Sequence, residues 1–239
     1  MYNQLKVEFY KLRTSKFFYI AAIGFFTASV MIFWSNIFRD GLDITGGRAF
    51  VGSISDTSLL FILSLFVSYF IGNDFSNRTI GNEIRIGYSR ISVILSRVII
   101  ALPLAAFLYL FYAAPRAILT GLINGFGSEF TIYEILIRTL LFSFQVMAVT
   151  SFVAFIMFWC KKSSLGMMIG VCFTVITCNI LRTVLSDNTV FRLTSFYRIQ
   201  MNIEAMTSWD IGISFLSALT TLLAVLSVTY IVFRKTELK

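Results

Sequence analysis

Residues 17–38 read FFYIAAIGFFTASVMIFWSNIF, 22 positions without one charge. A helix needs about 20 predominantly apolar residues to cross a hydrocarbon layer of about 30 Å. A barrel strand would instead be about ten residues of alternating apolar and polar side chains, and this run is continuous. The stretch predicts a membrane-spanning helix. Five more uncharged runs follow at 57–73, 98–115, 139–160, 163–181 and 211–233, with 17, 18, 22, 19 and 23 residues. The 17-residue run covers only about 26 Å as a helix, so it is expected to recruit Ile54, with Asp56 near the interface. The fold expected is an all-α polytopic membrane protein forming one transmembrane domain over 1–239. Its six spans lie at about 17–38, 54–73, 98–115, 139–160, 163–181 and 211–233. Composition agrees: 57% of residues are hydrophobic and 13% charged, about half the charged share of an average soluble chain.

Basic residues orient the spans. With the N-terminus inside, segments 1–16, 74–97, 161–162 and 234–239 carry thirteen Lys and Arg, including every lysine. The opposite segments carry seven arginines. The charge is +9 inside and −1 outside, the asymmetry of the positive-inside rule, so both ends are expected in the cytoplasm. The pI of 9.6 thus follows from topology and does not call for nucleic acid, which requires a contiguous basic face. The first span is long and lacks a small-residue cleavage site, and is expected to be retained.

Several chemistries have no residues to carry them. With no histidine, Ser-His-Asp and Cys-His nucleophiles and His-ligated metal sites are excluded. Cys160, Cys172 and Cys178 form no Cys-x-x-Cys pair and read as small buried apolar residues. There is no Gly-x-x-x-x-Gly-Lys-Ser/Thr phosphate loop. The chain is expected to be no enzyme by itself, with no catalytic residue, metal or cofactor of its own.

Two inner segments have helical periodicity. Tyr2, Leu5, Phe9 and Leu12 are spaced three, four and three apart, one face of a helix, with Lys6, Lys11 and Arg13 off that face. This predicts an interfacial helix over 1–16 with its apolar side against the membrane. In the 74–97 loop, Ile80, Ile84 and Tyr88 recur every four residues and Gly87 is placed to end the turn. A short amphipathic helix there would make a docking surface.

These features resemble the membrane subunits of type-2 ABC transporters, the permease class of bacterial peptide, antibiotic and lantibiotic export or immunity systems. The resemblance spans essentially the whole chain. It rests on the leader 5–13 before the first span, on Asp74-Phe75, Thr79-Ile80, Glu83 and Ser89-Arg90 after the second, and on basic Arg97 opening the third. Relatives often carry glutamate where Asp74 stands. The resemblance implies that 74–97 holds a coupling helix seated in a cleft of a separate ATPase. Asp74, Phe75, Arg78, Thr79, Ile80, Glu83, Ile84, Arg85, Tyr88 and Arg90 would be the coupling residues. It further implies two ATPase copies that bind ATP and Mg, a second permease copy (identical or related), and a place in the bacterial cytoplasmic membrane.

On the outer side, 182–210 is amphiphilic. Relatives place short helices here, re-entrant or interfacial, lining the exit; aromatic anchoring at the membrane surface is the other reading. Gln145 and Asn179 are polar groups within spans, facing a neighbouring helix or a cavity. With Phe191, Tyr197 and Met201 they are the candidate substrate-pathway residues. Gly166 and Gly170 form a close-packing Gly-x-x-x-Gly, Pro103 is expected to kink the third span, and Arg138 is placed at the outer interface near Glu134. The leading function is the permease of an ATP-driven exporter of amphipathic peptides or lipophilic antimicrobials. The alternative is an ATP-independent channel, carrier or signalling partner, although coupled carriers use ionisable groups inside spans and these runs have none.

Overall fold

A computed structural model describes residues 2–40, 44–185, 188–199 and 208–235. Every regular element among the described residues is a helix, without a strand. The elements are α1 (Tyr2–Thr14), α2 (Lys16–Asp40), α3 (Gly46–Ser55), a 3-10 turn (Thr57–Leu59), α4 (Leu60–Ser76), α5 (Thr79–Arg85) and α6 (Arg90–Asn124). They continue with α7 (Ile132–Cys160), α8 (Ser163–Val175) with a π-helical turn (Ile176–Ile180), α9 (Leu181–Val184), α10 (Thr189–Arg192), α11 (Ser195–Arg198) and α12 (Ser208–Lys235). Among the described residues, six helices are long and apolar enough to cross a membrane, in the six slots read from the charge gaps.

Spans 2, 3 and 4 form the centre. Over half of their apolar windows is buried, against 17%, 28% and 22% for the first, fifth and sixth. The outer spans attach along narrow stripes: Phe25, Ser29 and Phe33 are the buried face of α2, one turn apart. Ser214 and Ala218, both fully buried, let α12 approach α7, its main neighbour, as small residues do between membrane helices. The rest of those faces is large and apolar, with Ile20, Ile23, Met31 and Trp34 exposed, a surface suited to lipid.

Two boundaries differ from the sequence expectation. The second span starts at Thr57, because Asp56 breaks the helix. Its carboxylate accepts hydrogen bonds from the Ser58 backbone N–H (3.0 Å), the Ser58 hydroxyl (2.6 Å) and the Tyr112 hydroxyl (3.1 Å). The stretch before it, expected as an outer connection, is α3, which lies along the far half of α6. The third span is the other difference: α6 runs unbroken from Arg90 to Asn124 through Pro103 and Pro115, about 52 Å at 1.5 Å per residue. It outreaches 98–115 at both ends, and Arg97 sits inside it rather than in the loop.

Close contact at two glycines fixes α3 on α6. The Gly46 and Gly47 N–H groups donate to the Gly125 and Phe126 carbonyls at 3.0 and 3.1 Å. A Cβ on Gly46 would stand 2.8 Å from the Gly121 Cα and 3.0 Å from the Ala117 oxygen. Gly166 and Gly170 pack inside the chain, against Met157 and against Ser68 and Val153. Thr131 and Glu134 cap α7 reciprocally, and the Arg138 guanidinium lies over the Phe130 ring at 4.9 Å.

The two kinds of glycine in α3 give a paired prediction. Gly46→Val forces backbone apart and is expected to cost about 1–3 kcal/mol, seen as a lower unfolding temperature in detergent. Gly52→Ala, with nothing within 4 Å of the new Cβ, is expected to match or slightly exceed the parent.

Candidate functional site

At the end of the bundle where α1, α5 and the α7–α8 turn meet, the chain buries charge. α4 ends at Ser76, and the backbone turns through Arg78, whose φ of 56° is left-handed, into α5. The seven-residue α5 closes at Gly87 (φ 103°): the Gly87 and Tyr88 N–H groups donate to the Ile84 and Glu83 carbonyls, both at 3.1 Å. This is the paired-bond helix stop that needs glycine at the positive-φ position. Ser89 caps α6, accepting from the Ser92 N–H at 3.3 Å. Asp74, Glu83 and Arg97 therefore come from three successive helices and converge.

Arg97 is the hub, with no solvent exposure. Its Nε donates to Asp74 Oδ2 at 2.7 Å, and its two terminal nitrogens fork onto Glu83 at 3.0 and 2.8 Å. A fourth bond returns to the Val93 carbonyl at 3.0 Å. Forked guanidinium–carboxylate pairing is the geometry lysine cannot reproduce. α1 closes the cluster with Gln4, Glu8 and Lys11, spaced as one helix face. The Arg97 Nη2 stands 3.6 Å from Glu8, and Lys11 pairs with Glu8 at 3.3 Å and with Asp74. Gln4 donates to Glu83 at 3.4 Å and accepts from the Ser92 hydroxyl.

Three carboxylates thus face two cations, one negative charge in excess. Glu8, 2% exposed, absorbs the imbalance: burial first and the Asp74 charge second raise its pKa, against the pull of Lys11 and Arg97. Glu8 is the position in this cluster suited to holding a proton.

The other residues singled out in the 74–97 segment surround the cluster. Phe75 meets Phe158 of α7 edge-on at 5.7 Å, and Phe158 meets Phe233 of α12 at 5.4 Å. Arg90 donates to the Phe233 and Arg234 carbonyls at 2.9 and 2.8 Å, satisfying helix-end acceptors. Ile80 is buried, Thr79 and Ile84 are half-buried, and Arg78, Arg85 and Tyr88 are exposed. A groove of about 570 Å³ runs between α5 and the α7–α8 turn, bounded by Phe75, Arg78, Ile80, Ile84, Arg85 and Lys161.

The described pathway candidates make different contacts. Gln145 is buried, donating to the Ser214 carbonyl at 2.6 Å and the Ser217 hydroxyl at 3.2 Å, and so joins α7 to α12. Asn179 is exposed in the π-helical turn. Phe191 and Tyr197 pack on each other at 6.0 Å beside Phe196, which reaches Phe152 and Phe173 at 4.9 and 5.7 Å. Met201 lies outside the described residues.

Gln4 and Glu8 lie off the apolar stripe of α1 on which the sequence reading rests. The structure turns Tyr2 and Phe9 outward and buries Gln4, Glu8 and Leu12. The polar spacing 4, 8, 11 was the available signal.

Two predictions follow from this geometry. Arg97→Ala leaves buried carboxylates unpaired and is expected to cost about 3–5 kcal/mol, with Arg97→Lys intermediate, measured by thermal unfolding in detergent. A raised carboxyl pKa makes folding favour protonated Glu8, so its contribution is full below 4.5 and is lost as pH rises through the elevated value. The unfolding temperature of Glu8→Gln relative to the parent should therefore climb with pH across that window.

Residues 4–179 match the family model of the ABC-2 family transporter protein, a stretch that holds the whole cluster and the first five spans. No curated protein matches the chain. With that match covering most of its length, the chain belongs to the ABC-2 transporter family, as a transmembrane component of an ABC transporter.

Proposed function

We propose that this chain is the permease subunit of an ATP-driven exporter in a bacterial cytoplasmic membrane. Two permease chains, identical or related, would pair with two ATPase subunits that bind ATP and Mg. The observation that carries the coupling role is the Arg97 cluster: α5, the short surface helix, is bonded through Glu83 to α6, and through Arg97 to Asp74 at the end of α4. A displacement of α5 by a closing ATPase is thereby delivered to the second and third spans. α1 joins the same unit through Glu8 and Lys11.

The orientation that places this end in the cytoplasm is supported by charge, since all seven lysines belong to it. α1, with Tyr2, Val7, Phe9 and Tyr10 exposed, would lie at the headgroups. Catalysis of ATP hydrolysis is assigned to the partner, because the chain lacks a phosphate loop. Amphipathic peptides or lipophilic antimicrobials are the proposed cargo. The support is the apolar, aromatic character of α10 and α11, where Phe191, Phe196 and Tyr197 stand beside the membrane helices. Membership of an ABC family counts against the ATP-independent channel or carrier.

Purification of the tagged chain from its native membrane is expected to bring down an ATPase. Glu83→Gln should retain that ATPase while lowering substrate-stimulated ATP hydrolysis several-fold. Absence of any ATPase, or full stimulation in Glu83→Gln, would refute the coupling role.

A further inference from the structure

We infer that the face around α5 receives a carboxylate-rich surface of the ATPase subunit, with Arg78 and Arg85 as its two charged anchors. This rests on the coupling role proposed above and adds the chemistry of the partner.

The cluster hides the acids. Glu8, Asp74 and Glu83 are the acids described at this end, and their side chains are 2%, 2% and 17% exposed, turned inward onto Arg97 and Lys11. The charge facing outward around α5 is therefore positive. Arg78 immediately precedes α5 and Arg85 ends it; both are exposed, and neither has an ion-pair partner among the described residues. Seven residues of helix separate the two by about 10 Å. Between them the groove is lined by the half-buried Ile84, with Ile80 buried beneath, so the guanidinium groups bracket a small apolar patch.

Arg78 is also an unfavourable choice for its backbone. At φ 56° glycine or asparagine would be accommodated more readily. A strained arginine whose side chain makes no ion pair in the chain points to a partner outside it. An anionic lipid headgroup is the competing occupant. The groove argues for protein: beside its arginines it is lined by the half-buried Phe75 and Ile84, apolar groups that a phosphate headgroup would leave uncovered. They suit a face that brings carboxylates to the rim and apolar groups to the centre, as protein interfaces do.

The test uses the whole transporter, with the ATPase recognised in the parent complex by its phosphate-loop sequence. The Arg78→Glu/Arg85→Glu double variant is expected to retain at least about tenfold less ATPase, the change expected from losing charge-assisted contacts. Arg78→Lys/Arg85→Lys should remain near the parent. ATPase retained by the parent should fall as salt rises from about 0.15 to 1 M, where the screening length drops from about 8 to 3 Å. Size-exclusion profiles and unfolding temperatures matching the parent show that the variants are folded. If the double reversal retains ATPase like the parent, or salt leaves capture unchanged, the inference is overturned while the coupling role stands. Loss of copurified anionic phospholipid with ATPase retained assigns the site to lipid and also overturns it. A parent chain that captures no ATPase at all defeats both.

Discussion

The structure depends on one buried guanidinium. Arg97 stands two turns into a helix otherwise built to cross a membrane, and an ion there is tolerated only if its hydrogen-bonding and charge are met within the protein. Asp74 and Glu83 meet them, and to do so the chain after the second span must turn back sharply at Arg78, form one short helix and stop at Gly87. The segment between α4 and α6 has its shape because Arg97 requires two carboxylates from it. The surplus negative charge is then met by α1, whose Lys11 and protonatable Glu8 complete the neutralisation. Four helices are joined by what would otherwise be an unfavourable charge.

Such a cluster is poor as a source of stability, since desolvation offsets most of the attraction. Its value is directional. Forked and charge-assisted bonds resist rotation and sliding in a way apolar contacts do not, so in the coupling role proposed above a force on α5 would reach α4 and α6 without being lost in local repacking. Phe75, Phe158 and Phe233 extend the same body towards α7 and α12, and Arg90 fastens the last helix by its terminal carbonyls. The peripheral spans hold by narrow stripes, and can shift relative to this body at smaller cost.

Much of the fold was legible in the sequence because bilayer thickness and charge exclusion act on the chain locally. Six uncharged runs gave six helices, and the apolar recurrence with Gly87 gave α5. The errors arose where tertiary partners replace solvent. α6 begins ahead of residue 98 because Arg97, a boundary by its charge, is neutralised inside the helix. The second span begins late because Asp56 is a cap, and α3 exists because Gly46 and Gly121 permit contact invisible in hydropathy. The site was half legible: Asp74, Glu83 and Arg97 stood in the expected segment. The contribution of α1 was not recognised, since a polar stripe on an interfacial helix reads as solvated until another element is found against it. Of the outer residues, which only residue type singles out, Phe191 and Tyr197 pack on each other and Met201 lies outside the described residues.

The claim that α1, α4, α5 and α6 move as one body is tested most directly by distances between spin labels in the assembled transporter. One pair joins Lys6 of α1 to Ile86 after α5; a second joins Ile86 to Trp209 at the far end of α12, all exposed positions. Trapping ATP should leave the Lys6–Ile86 distribution unchanged in mean and width while the Ile86–Trp209 distance shifts. A Lys6–Ile86 distance that moves or broadens on ATP binding would contradict the account.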